Sequence, residues 1–169
     1  VLFYLTDGSI FLPTAKRNIL HIQSPLVGQG AKSLWGRVKL KFWNLIIYNS
    51  KFTQDNSQKN WSIKSLVIYP PVDVDKLKPW RKKNYILSVG RFFGYLKDKK
   101  HELLIKVFKD LYEKGELKNW SLHLAGSAGK GDEAYLMELK RLAKGFPVKF
   151  YPNLEYEKLV NLYGESGIY

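Results

Sequence analysis

One pattern occurs three times in residues 85–169: a short apolar run, a loop, and a longer stretch with apolar residues at helical spacing. The first run, Tyr85–Gly90, has no charge and is typical of a strand buried on both faces of a parallel sheet. The segment 100–115 is predicted as the helix that follows. Its expected buried stripe comprises Leu103, Leu104, Val107, Phe108, Leu111 and Tyr112.

The later repeats predict strands over 121–125 and 148–151, helices that begin at Asp132 and Glu155, and a further strand over 167–169. Three consecutive strand–helix units indicate a parallel, Rossmann-like α/β half-sheet.

The first part of the chain has the same character with a less regular pattern. Strands are predicted over 1–5, 18–23, 45–48 and 65–69, with a weak helix over 52–61. Pro70-Pro71 end the last of these strands and stiffen the chain. We therefore divide the sequence into a Rossmann-like domain (1–69), an interdomain linker (70–84) and a second Rossmann-like domain (85–169).

A basic amphipathic helix is predicted after Gly28–Gly30. Its apolar stripe comprises Leu34, Trp35, Val38, Phe42 and Leu45, and it is flanked by Lys32, Arg37, Lys39 and Lys41. Such a helix can lie in a membrane interface. It can equally pack its stripe on a sheet and leave the cations in water, which is the arrangement we expect here.

Composition narrows the classes of function. The net charge is +13 and is concentrated in residues 1–84, which carry 14 Lys or Arg against 4 Asp or Glu. A basic excess favours anionic partners. The chain has no cysteine, so disulfides and thiolate metal sites are excluded. Because the chain begins at Val1 and its only methionine is Met137, we expect it to be part of a longer protein.

Basic residues follow the strand predicted over 85–90. Gly90-Arg91 and the lysines at 97, 99 and 100 fall at the carboxyl end of this strand, where ligands bind in open α/β sheets. Arg grips phosphate oxygens bidentately and Lys adds a point charge. These lysines can also be an ordinary solvated loop. The loop 126–131 lacks phosphate-loop spacing, but Gly126 and Ser127 should line the same sheet edge.

Six segments, in this order and spacing, carry a family resemblance: Asn49–Thr53, Ile68–Asp73, Ile86–Phe108, Trp120–Gly126, Val148–Asn153 and Leu159–Tyr163. Over nearly its whole length the chain resembles the retaining glycosyltransferases of the group 1 (family 4) type. That resemblance implies the GT-B fold, in which two Rossmann-like domains face each other across a cleft.

The resemblance also implies roles for individual residues. Gly90, Arg91 and Lys99 match the positions that hold the diphosphate of a nucleotide-sugar donor, with Lys97 and Lys100 as weaker matches. Asn153 and Leu154 match the loop that contacts the nucleotide base through backbone groups. His21 resembles a histidine near the transferred sugar and is the candidate catalytic residue. No metal site and no cofactor are expected.

The implied reaction moves a sugar from a nucleoside diphosphate to a hydroxyl acceptor, a glycan or lipid-linked molecule, with retention of configuration. We expect a cytoplasmic protein at the inner membrane face, in peripheral contact with anionic lipid, and no specific nucleic acid. The acidic ExxxxxxxE motif of the family would lie beyond Tyr169, so these residues alone are expected to be inactive.

A different class of function competes with this one. A non-enzymatic basic module could hold nucleic acid or a phosphorylated ligand, with bases stacked on Trp35, Phe42, Trp43 and Trp61.

Overall fold

The chain forms two compact α/β units, residues Val1–Val72 (unit 1) and Asp73–Tyr169 (unit 2), in a computed structural model. The structure describes residues 1–6, 9–25, 33–57, 63–97 and 99–169. Each unit contains one four-stranded sheet in which all neighbouring strands are parallel. The α/β class and the Rossmann-like parallel sheets of a GT-B type chain are therefore confirmed.

Unit 1 is built on strands in the order β1-β2-β3-β4. The strands are β1 (Leu2–Thr6), β2 (Asn18–Ile22), β3 (Leu45–Tyr48) and β4 (Ser65–Val67), and the helices are α1 (Leu34–Leu40) and α2 (Lys51–Ser57). Buried Leu20, Ile22 and Ile46 from the central strands form the core together with Leu40 and Trp43. Leu and Ile side chains on adjacent parallel strands bury apolar surface against each other. This burial stabilises the pairing of these short strands.

Unit 2 has the strand order β7-β6-β5-β8. Its strands are β5 (Lys83–Val89), β6 (Ser121–Gly126), β7 (Val148–Pro152) and β8 (Ser166–Ile168), and its helices are α3 (His101–Glu113), α4 (Glu133–Leu142) and α5 (Tyr156–Glu165). The chain first adds strands on one side of β5 and then crosses back to place β8 on the other side. Such a reversal creates a crevice at the carboxyl ends of the strands, the usual ligand position in open sheets.

Two apolar layers cover the sheet of unit 2. Ile105 and Phe108 of α3 and Leu139 of α4 belong to one core cluster with Leu122 and Leu124 of β6. Leu159, Leu162 and Tyr163 of α5 pack against a second cluster, Tyr85, Leu87 and Ala125. Since successive side chains of a strand point to opposite faces, the uncharged runs of β5 and β6 supply both layers.

The buried face of α3 differs from the predicted stripe. His101, Ile105 and Phe108 are buried, whereas Leu103 and Val107 are 59% and 47% exposed. Leu103, Leu104 and Ile105 are consecutive apolar residues, so helical spacing alone permits two overlapping stripes. Packing against the sheet selects the stripe that contains Ile105.

The face of α1 is also opposite to the expected one. Gly36 and Leu40 are its buried residues, while Leu34 and Trp35 are 79% and 76% exposed. Val38 and Phe42 are exposed as well. The prediction that this stripe packs on the sheet is therefore wrong. Gly28–Gly30 and Lys32, which were expected to open this helix, lie outside the described residues.

The segment between the two sheets joins unit 2 before β5 begins. The backbone N–H of Trp80 donates to the carbonyl of Gly164 at 2.9 Å, and β5 starts at Lys83, two residues earlier than predicted. A Cβ on Gly164 would lie 3.0 Å from the carbonyl oxygen of Lys78, so residue 164 must be small for this close approach. Within the described ranges, no helix is long and apolar enough to cross a membrane.

Candidate functional site

The carboxyl ends of three neighbouring strands of unit 2 surround a cavity of about 400 Å³. Gly90 and Arg91 follow β5, Ser127 follows β6, and Asn153 follows β7. The structure brings together all the residues predicted for the diphosphate, the base and the loop lining: Gly90, Arg91, Lys99, Gly126, Ser127, Asn153 and Leu154. The volume is within the range of small-molecule sites.

Close backbone contact fixes the first two loops at the cavity. Gly90 N–H donates to the carbonyl of Ala125 at 2.9 Å, and Phe92 N–H donates to the carbonyl of Ser127 at 2.8 Å. A Cβ on Gly126 would lie 1.9 Å from the carbonyl oxygen of Gly90. Only glycine permits this approach, because any side chain would displace backbone atoms. The loop that carries Arg91 therefore lies directly on the loop after β6.

The position of Lys99 depends on a second glycine. A Cβ on Gly90 would meet Cγ of Lys99 at 2.8 Å, so the aliphatic part of Lys99 crosses over this residue. Arg91 is exposed, with its Cζ 5.4 Å from the centre of the Phe93 ring. Both cationic side chains line the cavity. Two cations at one sheet edge suit a diphosphate group.

The two other lysines of this loop have different positions. Lys97 Nζ lies 2.7 Å from Glu102 Oε1 and 3.3 Å from Glu138 Oε2. The hydrogen bond to Glu102 is the main cause that raises the pKa of Lys97. Lys100 occupies the N-cap position of α3 with a left-handed φ of 52°. Neither residue lines the cavity, whereas Lys99 does.

Asp132 joins two loops beside the cavity, a role that the sequence did not indicate. Its carboxylate accepts hydrogen bonds from the backbone N–H of Gly129 at 2.9 Å and of Gly94 at 3.1 Å. These bonds, Gly129 first, hold the pKa of Asp132 below its usual value, and the charge of Arg91 lowers it further. An Asp three residues after a loop glycine and just before a helix was the available signal.

Asn153 fixes the third loop to the second. Its backbone has a left-handed φ of 54°, which Asn tolerates better than most residues. Its side-chain Oδ1 accepts from Ala128 N–H at 2.9 Å, and its Nδ2 donates to the Ala128 carbonyl at 3.0 Å. Its own N–H donates to the carbonyl of Gly126 at 2.8 Å. The side chain thus holds the loop in place, while base contact through the backbone stays a prediction.

His21 lies in unit 1, near the carboxyl end of β2. It is paired in register with Leu5 and Ile47, and its ring stacks on Phe3 at 6.0 Å between centroids. Its Nδ1 is buried and has no hydrogen-bond partner within the described part of the chain. Its proposed part in catalysis stays a prediction.

The aromatic residues proposed to stack bases do not all lie on an exposed surface. Trp43 is only 2% exposed and packs with Tyr4 and Phe11, so the prediction that it stacks a base is wrong. Trp35 and Phe42 are exposed, and Trp61 lies outside the described residues. The residues that the structure covers also contain no group of three or more His, Cys, Asp or Glu able to hold a metal ion.

Comparison with known proteins supplies an independent finding. Residues 72–169, more than half of the chain, match the model of the family described as "Glycosyl transferases group 1". A relative from Eremothecium gossypii, named GDP-Man:Man(3)GlcNAc(2)-PP-Dol alpha-1,2-mannosyltransferase, is 26% identical over 158 residues. The match covers 81% of this chain and 27% of that relative, so the chain spans about a quarter of the relative's length.

Proposed function

Because this chain belongs to the group 1 glycosyltransferases, we propose that the full-length protein transfers a sugar from a nucleoside-diphosphate-sugar to a hydroxyl acceptor, with retention of anomeric configuration. The acceptor is a glycan or a lipid-linked molecule. The observation that carries this proposal is the cavity at the ends of β5, β6 and β7, which both Arg91 and Lys99 line.

The chemistry of the donor explains these two cations. In the transfer, the bond between the anomeric carbon and the diphosphate oxygen breaks, and the nucleoside diphosphate leaves with the electron pair. A new bond forms between the anomeric carbon and the acceptor oxygen, and the proton of the acceptor hydroxyl passes to an oxygen of the departing diphosphate. Negative charge gathers on the leaving diphosphate, and fixed cations beside it lower the barrier. Arg91 and Lys99 take this role, and the reaction needs no cofactor.

The rigidity of the cavity wall supports the same assignment. Fixed hydrogen-bond donors and charges stabilise a transition state without reorganising during the reaction. Three sets of contacts hold the loops together. They are the close backbone approach of Gly126 to Gly90, the hydrogen bonds of Asp132 to Gly94 and Gly129, and the hydrogen bonds of Asn153 to Ala128.

GDP-mannose is the first donor to test, since the name of the Eremothecium gossypii relative contains that donor. The full-length protein is followed by proton NMR with GDP-α-mannose, and separately with UDP-α-glucose, in buffer that contains EDTA. We expect the sugar that is first transferred, or first released to water, to be the α anomer. Initial formation of the β anomer would contradict retention, and dependence on an added divalent ion would contradict the proposed role of the two cations.

Three variants test the roles proposed for individual residues. Arg91→Ala combined with Lys99→Ala should lower kcat/KM by about 100-fold or more, as for other groups that stabilise developing charge. Lys97→Gln is the matched control, because Lys97 contacts Glu102 and Glu138 outside the cavity. His21→Ala should lower kcat and leave nucleotide affinity unchanged.

A further inference from the structure

Several apolar side chains of unit 1 are exposed in and directly after α1. Leu34, Trp35 and Val38 share one side of α1, and Phe42 follows two residues after the helix ends. They are 79%, 76%, 36% and 52% exposed, respectively. We call these four residues the α1 surface.

The structure of α1 shows why these side chains face outward. Ser33 Oγ accepts the N–H of Gly36 at 2.9 Å and fixes the start of the helix. Gly36 and Leu40, four residues apart, face the core. The indole of Trp35 and the side chain of Val38 then lie on the opposite side. Neighbouring apolar side chains that form a contiguous exposed patch often mark an interaction surface.

Two exposed cations accompany the α1 surface. Arg37 and Lys41 are exposed within the same segment. Residues 8–54 contain seven Lys or Arg and no Asp or Glu. An acidic side chain from this part of the sequence therefore cannot neutralise these cations, and the local field attracts anions.

From this combination we propose that the α1 surface docks unit 1 onto an anionic phospholipid bilayer. Trp35, Phe42 and their two aliphatic neighbours enter the boundary between headgroups and acyl chains, and Arg37 and Lys41 contact lipid phosphates. Tryptophan is favoured at this depth because its ring is apolar and its N–H is polar. An amphipathic helix with cations on its flanks binds this interface through both contributions.

A bilayer fits the shape of this surface better than a folded partner does. The surface is a short convex helix, and a lipid interface accommodates convex side chains without a complementary groove. The inference is independent of the donor site, because it involves unit 1 residues alone. Loss of lipid binding and loss of nucleotide binding are therefore separately measurable.

The experiment is vesicle co-sedimentation of the full chain at low and high salt. Vesicles consist of phosphatidylcholine alone or of phosphatidylcholine mixed with phosphatidylglycerol. We expect binding to the mixed vesicles that weakens as salt screens the cations. Trp35→Ser combined with Phe42→Ser should lower the partition coefficient by at least about tenfold. Arg37→Gln combined with Lys41→Gln should lower it by about 30-fold on anionic vesicles and hardly at all on neutral ones.

A matched control removes equally exposed apolar side chains from helices of unit 2. Leu103→Ser combined with Met137→Ser, at residues 59% and 65% exposed, should bind vesicles like the wild type. Circular dichroism verifies that each variant is folded. The proposal is overturned if the wild type ignores anionic vesicles or if the α1 variants bind as well as the control. It is also overturned if sedimentation velocity without lipid shows a dimer that Trp35→Ser abolishes, since the occupant is then a second copy.

Discussion

Asp132 shows how one carboxylate can organise a binding site that it does not line. It receives two backbone N–H groups from different loops, Gly94 before α3 and Gly129 before α4. Replacing Asp132 by Asn exchanges one of the two acceptor oxygens for an NH₂ group, so only one of the two backbone N–H groups keeps its hydrogen bond. We predict that Asp132→Asn lowers nucleotide affinity by about threefold to tenfold, through looser placement of Arg91. Calorimetric titration measures the change.

The matched control for Asp132→Asn is Glu133→Gln, which removes the same charge from the next residue, an exposed position. A positioning role also predicts a pH effect. Because the pKa of Asp132 is lowered in the folded protein, its contribution is present near neutral pH and is lost as pH falls through that lowered pKa. Equal affinities for the two variants, or identical acid sensitivity of wild type and Asp132→Asn, would refute the role.

His123 supplies a second pH-dependent contribution, to stability. Its ring is 6% exposed and stacks on Tyr85 at 4.1 Å, and its Nε2 lies 3.0 Å from Ser121 Oγ. Burial, with a smaller contribution from Lys149, lowers the pKa of His123 from 6.5 to about 4. Between these values the unfolded chain binds a proton that the folded chain does not, so stability rises with pH in this window.

We predict that acidification from pH 6.5 to 4 costs unit 2 up to about 3 kcal/mol through His123. His123→Phe keeps an aromatic ring against Tyr85 and removes the titration. The free energy of unfolding of both proteins is measured by urea unfolding at several pH values. Hydrogen exchange of the β5 and β6 amides reports on unit 2. Parallel pH profiles for wild type and His123→Phe would contradict this account.

Cationic residues of a phosphate site are easier to predict from the sequence than residues that hold one loop against another. Arg91 and Lys99 stand out because their type and position after a strand suit a phosphate. Asp132 and Asn153 bind backbone groups of other loops, and those contacts depend on how the loops fold. Residue type alone does not encode them. Even the choice of Lys99 over Lys97 relied on family spacing.

At the scale of elements, the packing of β5 on β6 leads to a stability prediction. Since a Cβ at Gly126 would lie 1.9 Å from the Gly90 carbonyl oxygen, Gly126→Ala must move the backbone at the cavity. We expect a loss of about 1–3 kcal/mol or more in the free energy of unfolding, together with weaker nucleotide binding. Urea unfolding and titration of the same samples measure both.

Gly131→Ala is the control for this substitution, because a Cβ there would have no atom within 4 Å. Its stability should change by no more than about 0.5 kcal/mol. If Gly126→Ala is as stable as Gly131→Ala, the two loops do not lie as close together as described.

The buried face of a helix is harder to predict from the sequence than the presence of a strand. Every apolar run that was predicted as a strand forms one, because a buried parallel strand needs only a short uncharged segment. For a helix, the prediction must also say which face packs against the sheet. In α3 the adjacent residues Leu103, Leu104 and Ile105 allow two stripes, and in α1 most of the apolar residues face outward. Helical period gives the spacing of a stripe, whereas the neighbouring sheet decides which stripe is buried.

On the scale of the whole molecule, the order of elements was the most predictable property. Alternating strands and helices force parallel sheets, since each crossover returns the chain to the same edge. The reversal that places β8 beside β5 was not predictable, because sequence periodicity does not say on which side of a sheet a helix crosses. The residues that line the candidate donor site lie at the ends of β5, β6 and β7 or follow them, and none of them belongs to β8.

Calorimetric titration of the chain with GDP and UDP tests whether the donor site lies at the ends of β5, β6 and β7. We predict that the wild type binds one of these nucleotides and that Arg91→Ala/Lys99→Ala loses at least about tenfold in affinity, since each cation makes a charge-assisted contact. Lys97→Gln should bind like the wild type. Equal affinities for the wild type and the double variant, or no binding by the wild type, would contradict the assignment of the donor site to the ends of β5, β6 and β7.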